Sequence, residues 1–156
     1  MIPQLDARGL LPAGCHVGTW AEIEEAFATN DWRRRRLAQF KLFVRNELQP
    51  VAAGLELVLG GSYFSDKPDP GDIDCTVAVA PVDLLQRADL LALSMDGGKG
   101  RLWEKYKAEF YVTIVIPGRN DFRLYFQYVG EKTAGLKNLS VTDLRGTVKV
   151  EPWILG

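Results

Sequence analysis

A single α+β domain, with helices packed on a sheet, is the fold that three observations predict. Short apolar segments bounded by glycine or proline, at residues 55–59, 73–80, 109–116 and 146–152, read as strands. The segments between them carry helical apolar spacing, clearest after residue 30. At 156 residues the chain can bury one continuous core without disulfides or a structural metal, so residues 1–156 read as a single domain.

Taken in order, residues 1–17 contain Pro3, Gly9, Pro12 and Gly14 with little periodicity and read as an extended arm over the domain. Thr19-Trp20-Ala21-Glu22 has capping-box spacing and opens a short helix to about Phe27. Asn30 or Asp31 caps a second helix, whose stripe of Trp32, Leu37, Phe40, Phe43, Val44 and Leu48 should face the sheet and whose end is expected at Pro50. Gly60-Gly61-Ser62 is a turn, residues 66–71 a proline-rich loop, and 73–80 the next strand. Pro81 opens a leucine-rich helix to about Met95, and residues 96–100 read as a glycine-rich flap. Residues 122–129 fit a strand or a helix capped by Asp121, with helix preferred.

The bulk numbers exclude more than they assign. Nineteen basic against 20 acidic side chains give no general attraction to nucleic acid or an anionic membrane. No apolar run approaches the roughly 18 residues of a membrane span, and the start lacks the basic-then-apolar order of a secretory signal, so a cytoplasmic location is expected. Cys15 and Cys75 belong to no spaced pair and read as ordinary reduced thiols. His16 is the sole histidine, which excludes a His-rich zinc site.

The chemistry concentrates between residues 57 and 79. A strand runs into Gly60-Gly61-Ser62, residues 63–71 follow, and Asp72-Ile73-Asp74 opens the next strand. Alternation along a strand puts Asp72 and Asp74 on one face, about 6 to 7 Å apart, with Ile73, Cys75, Val77 and Val79 on the other. Two like charges so close call for open water or a cation between them, and Mg²⁺ (or Mn²⁺) takes oxygen ligands while leaving room for substrate phosphates. Gly-Gly-Ser alone reads as a simple turn; beside the two aspartates it becomes a phosphate cradle, with backbone N–H groups and the Ser62 hydroxyl as donors.

Gly61-Ser62, a loop of about ten residues and Asp72-Ile73-Asp74 resemble the signature of the DNA polymerase β-like nucleotidyltransferase superfamily, closest to its small members, the minimal nucleotidyltransferases. The longer string from Gly61 to Asp74 is similar to a group of small bacterial and phage proteins of that superfamily, and Arg33 to Leu37 and Gly146-Thr147-Val148 sit where that group carries its other features. The resemblance implies a nucleotidyltransferase-like mixed β-sheet backed by helices, with Asp72 and Asp74 holding Mg²⁺ (or Mn²⁺). It implies that Gly61 and Ser62 hold the β- and γ-phosphates of an NTP, with a nucleoside monophosphate passing to a hydroxyl of a protein, RNA or small-molecule acceptor. A protein partner, a toxin or an antitoxin, is implied for the minimal branch. Active members usually carry a third carboxylate on a neighbouring strand, and the residue nearest that place reads as Thr113, which cannot act as a base. Glu109, on the same alternating face, and Asp121, just past the strand, are the alternatives. Without a third acid the chain reads instead as a degenerate nucleotidyltransferase serving as a partner-binding module.

The remaining candidates have plain readings. Lys67 in the motif loop could contact a triphosphate or be solvated, and Lys99 is similar. Arg33-Arg34-Arg35-Arg36 points around a helix rather than along one stripe, so a solvated face is expected, although Arg33 and Arg36 share a side with Phe40. The four tryptophans read as packing groups.

Overall fold

The computed structural model describes residues 1–156 and is α+β, a five-stranded mixed sheet in the order β1-β5-β2-β3-β4 with helices against it. The strands are β1 Gly14–Gly18, β2 Glu56–Gly60, β3 Ile73–Val79, β4 Ala108–Ile114 and β5 Gly146–Val150. β1 runs parallel to β5 and β3 parallel to β4, while β2 is antiparallel to both of its neighbours.

Strand alternation sorts the sheet into two faces. Leu57, Leu59, Ile73, Cys75, Val77, Ala108, Phe110, Val148 and Val150 lie on one, fully shielded or nearly so. They join Ile23 and Phe27 of α1 (Trp20–Phe27) and Leu37, Phe40 and Phe43 of α2 (Asp31–Phe43) in one core. α1 starts on the expected capping box, with Thr19 accepting from the Glu22 amide and the Glu22 carboxylate accepting from the Thr19 amide. The Asn30 side chain accepts from the Arg33 amide and caps α2.

Helical structure does not stop at Pro50. A π-helical stretch, Val44–Leu48, follows α2 and leads into the short α3, Gln49–Ala52. Pro50 lies just past the π-helical stretch, where it can donate no hydrogen bond to the preceding turn, and the helix ends two residues later at Ala52. Trp32 also departs from the expected stripe: it is 41 % exposed and its indole N–H donates to the Pro70 carbonyl.

The arm expected at residues 1–17 ends in β1, which two glycines and a length of five residues concealed. After β3 a 3₁₀ stretch, Pro81–Arg87, leads into α4, Ala88–Ser94. The glycine-rich segment is tied to the sheet, since the Gly98 amide donates to the Phe110 carbonyl and a Cβ at Gly97 would lie 2.3 Å from that same oxygen. The unexpected helix α5, Arg101–Tyr106, follows and ends on Lys107 in the left-handed region. On the far face of the sheet lie α6, Phe122–Tyr125, capped by Asp121 as expected, and the unexpected α7, Gly130–Lys137. Phe122 stacks on Tyr111 with ring centres 4.5 Å apart. No helix is long and apolar enough to cross a membrane.

Candidate metal and nucleotide site

Gly60 at the end of β2 pairs with Asp74 of β3, and Asp74 pairs with Glu109 of β4. Registered partners project their side chains to the same face, so Gly60, Asp74 and Glu109 form one row at an edge of the sheet. Asp72, two residues before Asp74, joins them by alternation. One carboxylate oxygen from each of Asp72, Asp74 and Glu109 lies within 4.8 Å of the other two. The glycine in the row leaves room for α6, because a Cβ at Gly60 would lie 2.8 Å from the Phe126 Cβ.

Asp74 Oδ1 is shut off from solvent and has no hydrogen-bond partner. Burial, first of all, holds the Asp74 carboxyl well above the usual carboxylate range. A hydrogen bond with Glu109 and the charges of Asp72 and Glu109 push the same way, while the Arg145 guanidinium opposes them. Two carboxyl groups can share a hydrogen bond only if one is protonated, and a cation between them removes that requirement. The donor set is all oxygen, which suits a hard ion such as Mg²⁺ or Mn²⁺. His16 is engaged elsewhere, with Nε2 2.7 Å from the Pro12 carbonyl.

Gly61 must be glycine on two counts: its φ of +88° is in the left-handed region, and an added Cβ would lie 2.7 Å from Asp74 Oδ2. Ser62 begins a 3₁₀ turn, Ser62–Phe64, and both residues line a cleft of about 980 Å³ that also receives Asp72, Asp74, Glu109, Lys67 and Lys99. Across the cleft Tyr125, Tyr128, Leu136 and Val141 form a largely exposed aromatic and apolar wall.

The loop joining turn and aspartates is held by side chains from the start of α2. Arg33 is 3 % exposed and donates to the carbonyls of Phe27, Tyr63, Ser65 and Lys67. Asn30 donates to the Pro68 carbonyl, and Trp32 and Arg36 donate to that of Pro70. Prolines in this loop remove amide donors, so its carbonyls must be satisfied from elsewhere. Arg33 is therefore a buried brace, and the solvated face expected of the arginine run holds only for its exposed members Arg34 and Arg35.

One expected position and one of the two proposed third acids are corrected by the structure. Thr113 pairs with Ala78, far down the strand from Asp74, and is buried with its hydroxyl 2.8 Å from that of Thr76. Asp121 stays outside the acidic cluster; it caps α6 and its carboxylate accepts from the Arg123 guanidinium at 2.8 and 2.9 Å, which holds it below the usual range. Glu109 alone joins the two aspartates.

Two residues escaped sequence reasoning. The Trp103 indole N–H on α5 donates to Asp72 Oδ2 at 2.9 Å, while the Lys107 ammonium lies 3.9 Å from the centre of an indole ring it thereby polarises. Arg145, just before β5, lines the same cleft. Its only signal in the sequence was its place immediately before Gly146-Thr147-Val148.

Fold and site together define a class: an α+β protein whose sheet edge carries three convergent carboxylates beside a glycine-serine turn. The chain belongs to the family described as "Family of unknown function (DUF6932)", which matches residues 3–150. No curated protein and no solved structure matches it.

Proposed function

We propose that the protein is a metal-dependent nucleotidyltransferase that binds an NTP with Mg²⁺ or Mn²⁺ and transfers a nucleoside monophosphate to a hydroxyl. The acceptor is a hydroxyl on a protein partner such as a toxin or antitoxin, on RNA or on a small molecule. The observation that carries this reading is the convergence of Asp72, Asp74 and Glu109 within 4.8 Å beside Gly61 and Ser62.

Asp72, Asp74 and Glu109 would hold the cation, which when bound neutralises phosphate charge and polarises the reacting oxygens. Gly61 and Ser62 offer the close backbone approach and the hydroxyl that a polyphosphate needs, and Lys67 and Lys99 add cationic charge at the rim. The acceptor oxygen forms a bond to the α-phosphorus as the bond to pyrophosphate breaks, and a carboxylate of the trio takes the hydroxyl proton. Glu109 suits that last role, because it comes from the neighbouring strand and faces Asp74 across the register. The Tyr125–Tyr128–Leu136 wall gives the base or the acceptor a flat apolar surface. The rival reading as a pure binding module drew its best support from Thr113, which pairs with Ala78, while Glu109 is the residue opposite Asp74.

The test is incubation with each labelled NTP, Mg²⁺ or Mn²⁺ and a host lysate, comparing wild type with the Asp72→Asn and Glu109→Gln variants. Label transfer by wild type that disappears in both variants is expected. No transfer from any NTP, with no NTP-dependent rise in melting temperature, overturns the reading.

Trp103→Phe keeps the ring that packs near Asp72 and removes the donor. Outer hydrogen bonds of this kind are worth roughly 10- to 100-fold in metal affinity, so Mn²⁺ binding should weaken by about tenfold while the melting temperature moves little. A Mn²⁺ titration followed by paramagnetic resonance checks both wild type and variant.

A further inference from the structure

Three buried side-chain polar atoms have no hydrogen-bond partner: Asp74 Oδ1, Arg145 Nε and Thr147 Oγ1. They are not scattered. Arg145 and Thr147 alternate onto one face at the start of β5, and β5 is joined to β3 through β2, whose last residue Gly60 presents no side chain between them. All three orphaned atoms therefore belong to one neighbourhood at the edge that carries the carboxylates.

Arg145 is the member in need of a partner. It is 9 % exposed, yet the protein gives its guanidinium a single contact, a donation from Nη1 to the Thr133 hydroxyl at 3.4 Å. Asp74 acts on it only through space and no carboxylate oxygen comes within 4 Å, in contrast to Arg8, Arg34, Arg101 and Arg123, which all have acidic partners in contact. The residue is nonetheless fixed in place. Its amide donates to the Gln127 carbonyl, the Val129 amide donates to that of Asp143, and a bridge joins Tyr128 to Leu144, so the strand start is laced to the segment between α6 and α7. A desolvated guanidinium with free donors costs free energy unless an anion completes it. Its planar fork matches the oxygens of a phosphate, and it faces the same cleft as the carboxylates.

We propose that Arg145, with the Thr133 hydroxyl beside it, is an anion subsite that takes a phosphate oxyanion in the cleft it shares with Asp72, Asp74 and Glu109. The subsite rests on the nucleotidyltransferase reading for its place in the reaction, since it lets the cleft hold a phosphate through both a cation and a guanidinium.

The experiment titrates the full-length protein with Mn²⁺ alone and with inorganic tripolyphosphate, with and without Mn²⁺, in wild type, Arg145→Met and Arg145→Lys. Arg145→Met should bind Mn²⁺ alone as tightly as wild type or more tightly, since it removes a positive charge that acts on Asp74, and should lose roughly tenfold or more for tripolyphosphate, the scale of one charge-assisted hydrogen bond. Arg145→Lys restores the charge without the fork and should recover part of that loss. The proposal is overturned if both variants bind tripolyphosphate like wild type, or if Mn²⁺ alone weakens by the same factor as tripolyphosphate, which marks a structural role. Glycerol phosphate, a monoester, separates the two sources of the oxyanion: preference for tripolyphosphate assigns the subsite to the nucleotide, and equal or tighter binding of the monoester assigns it to a phosphorylated acceptor. A wild type that binds tripolyphosphate through Arg145 but neither Mn²⁺ nor NTP leaves the subsite standing and removes the nucleotidyltransferase reading. Binding of Mn²⁺ and NTP unaffected by Arg145 does the reverse.

Discussion

Asp74→Asn protein without metal is expected to melt at the wild-type temperature or above it, and to show none of the thermal stabilisation that Mn²⁺ gives wild type. The two halves of this result have one cause. Asp74 is buried beside two other carboxylates, with one oxygen unpartnered, so its charge is a liability that only a cation offsets. Asparagine has nearly the same shape, carries no charge to desolvate, and its amide can donate to Glu109. The cation, however, loses a ligand and the charge that holds it. At a Mn²⁺ concentration about 100 times the dissociation constant, wild type should gain about 2.7 kcal/mol from binding, and the variant nothing measurable. Differential scanning calorimetry with and without Mn²⁺ reads both quantities. A variant that is strongly destabilised without metal would show that Asp74 serves the fold rather than an ion.

The Arg33→Met protein should lose about 3 to 5 kcal/mol of stability, the cost of stranding buried polar partners by removing a charged donor. Methionine fills much of the same space, so the loss reflects the carbonyls of Phe27, Tyr63, Ser65 and Lys67, which would face apolar surroundings without a donor. Arg33 also lies over the Tyr63 ring at 5.0 Å, and the Tyr63 hydroxyl donates back to the Arg33 carbonyl, so the two residues brace each other. For a domain near this size each kcal/mol is worth about 2 to 4 °C in melting temperature. The neighbouring Arg34→Met change is the control: its partner is the exposed Asp31, and pairs of that kind contribute roughly 0 to 1 kcal/mol. Urea denaturation of both variants separates the brace from the surface pair.

What the sequence disclosed followed its range. Gly61, Ser62, Asp72 and Asp74 are separated by few residues, and strand alternation alone puts the acids on one face. Glu109 lies 35 residues after Asp74 in number but opposite it in space, and the register that brings them together is set between strands, where a slip of a few residues moves Thr113 into its place. Arg145 is more distant still, and its role needs the neighbouring strand β2 to end in a glycine. Arg33 was visible in principle, because it stands four and seven residues before Leu37 and Phe40 on the helix and so shares their buried side. The arginine run around it suggested solvent instead. α7 left no trace in the pattern, since Gly130–Lys137 is mostly polar and buries only Ala134.

The rung of the β-ladder that joins Asp74 to Glu109 has an evolutionary consequence. Their separation is inherited from backbone pairing between β3 and β4, so substitutions elsewhere cannot easily drift it apart. The surface across the cleft is made of short helices and connecting chain, with Tyr125 66 % and Leu136 77 % exposed, where side chains change at little cost to folding. Under the proposed function, chemistry and recognition would thus be carried by different parts of the chain, and relatives could diverge in what they accept while keeping the three carboxylates in place.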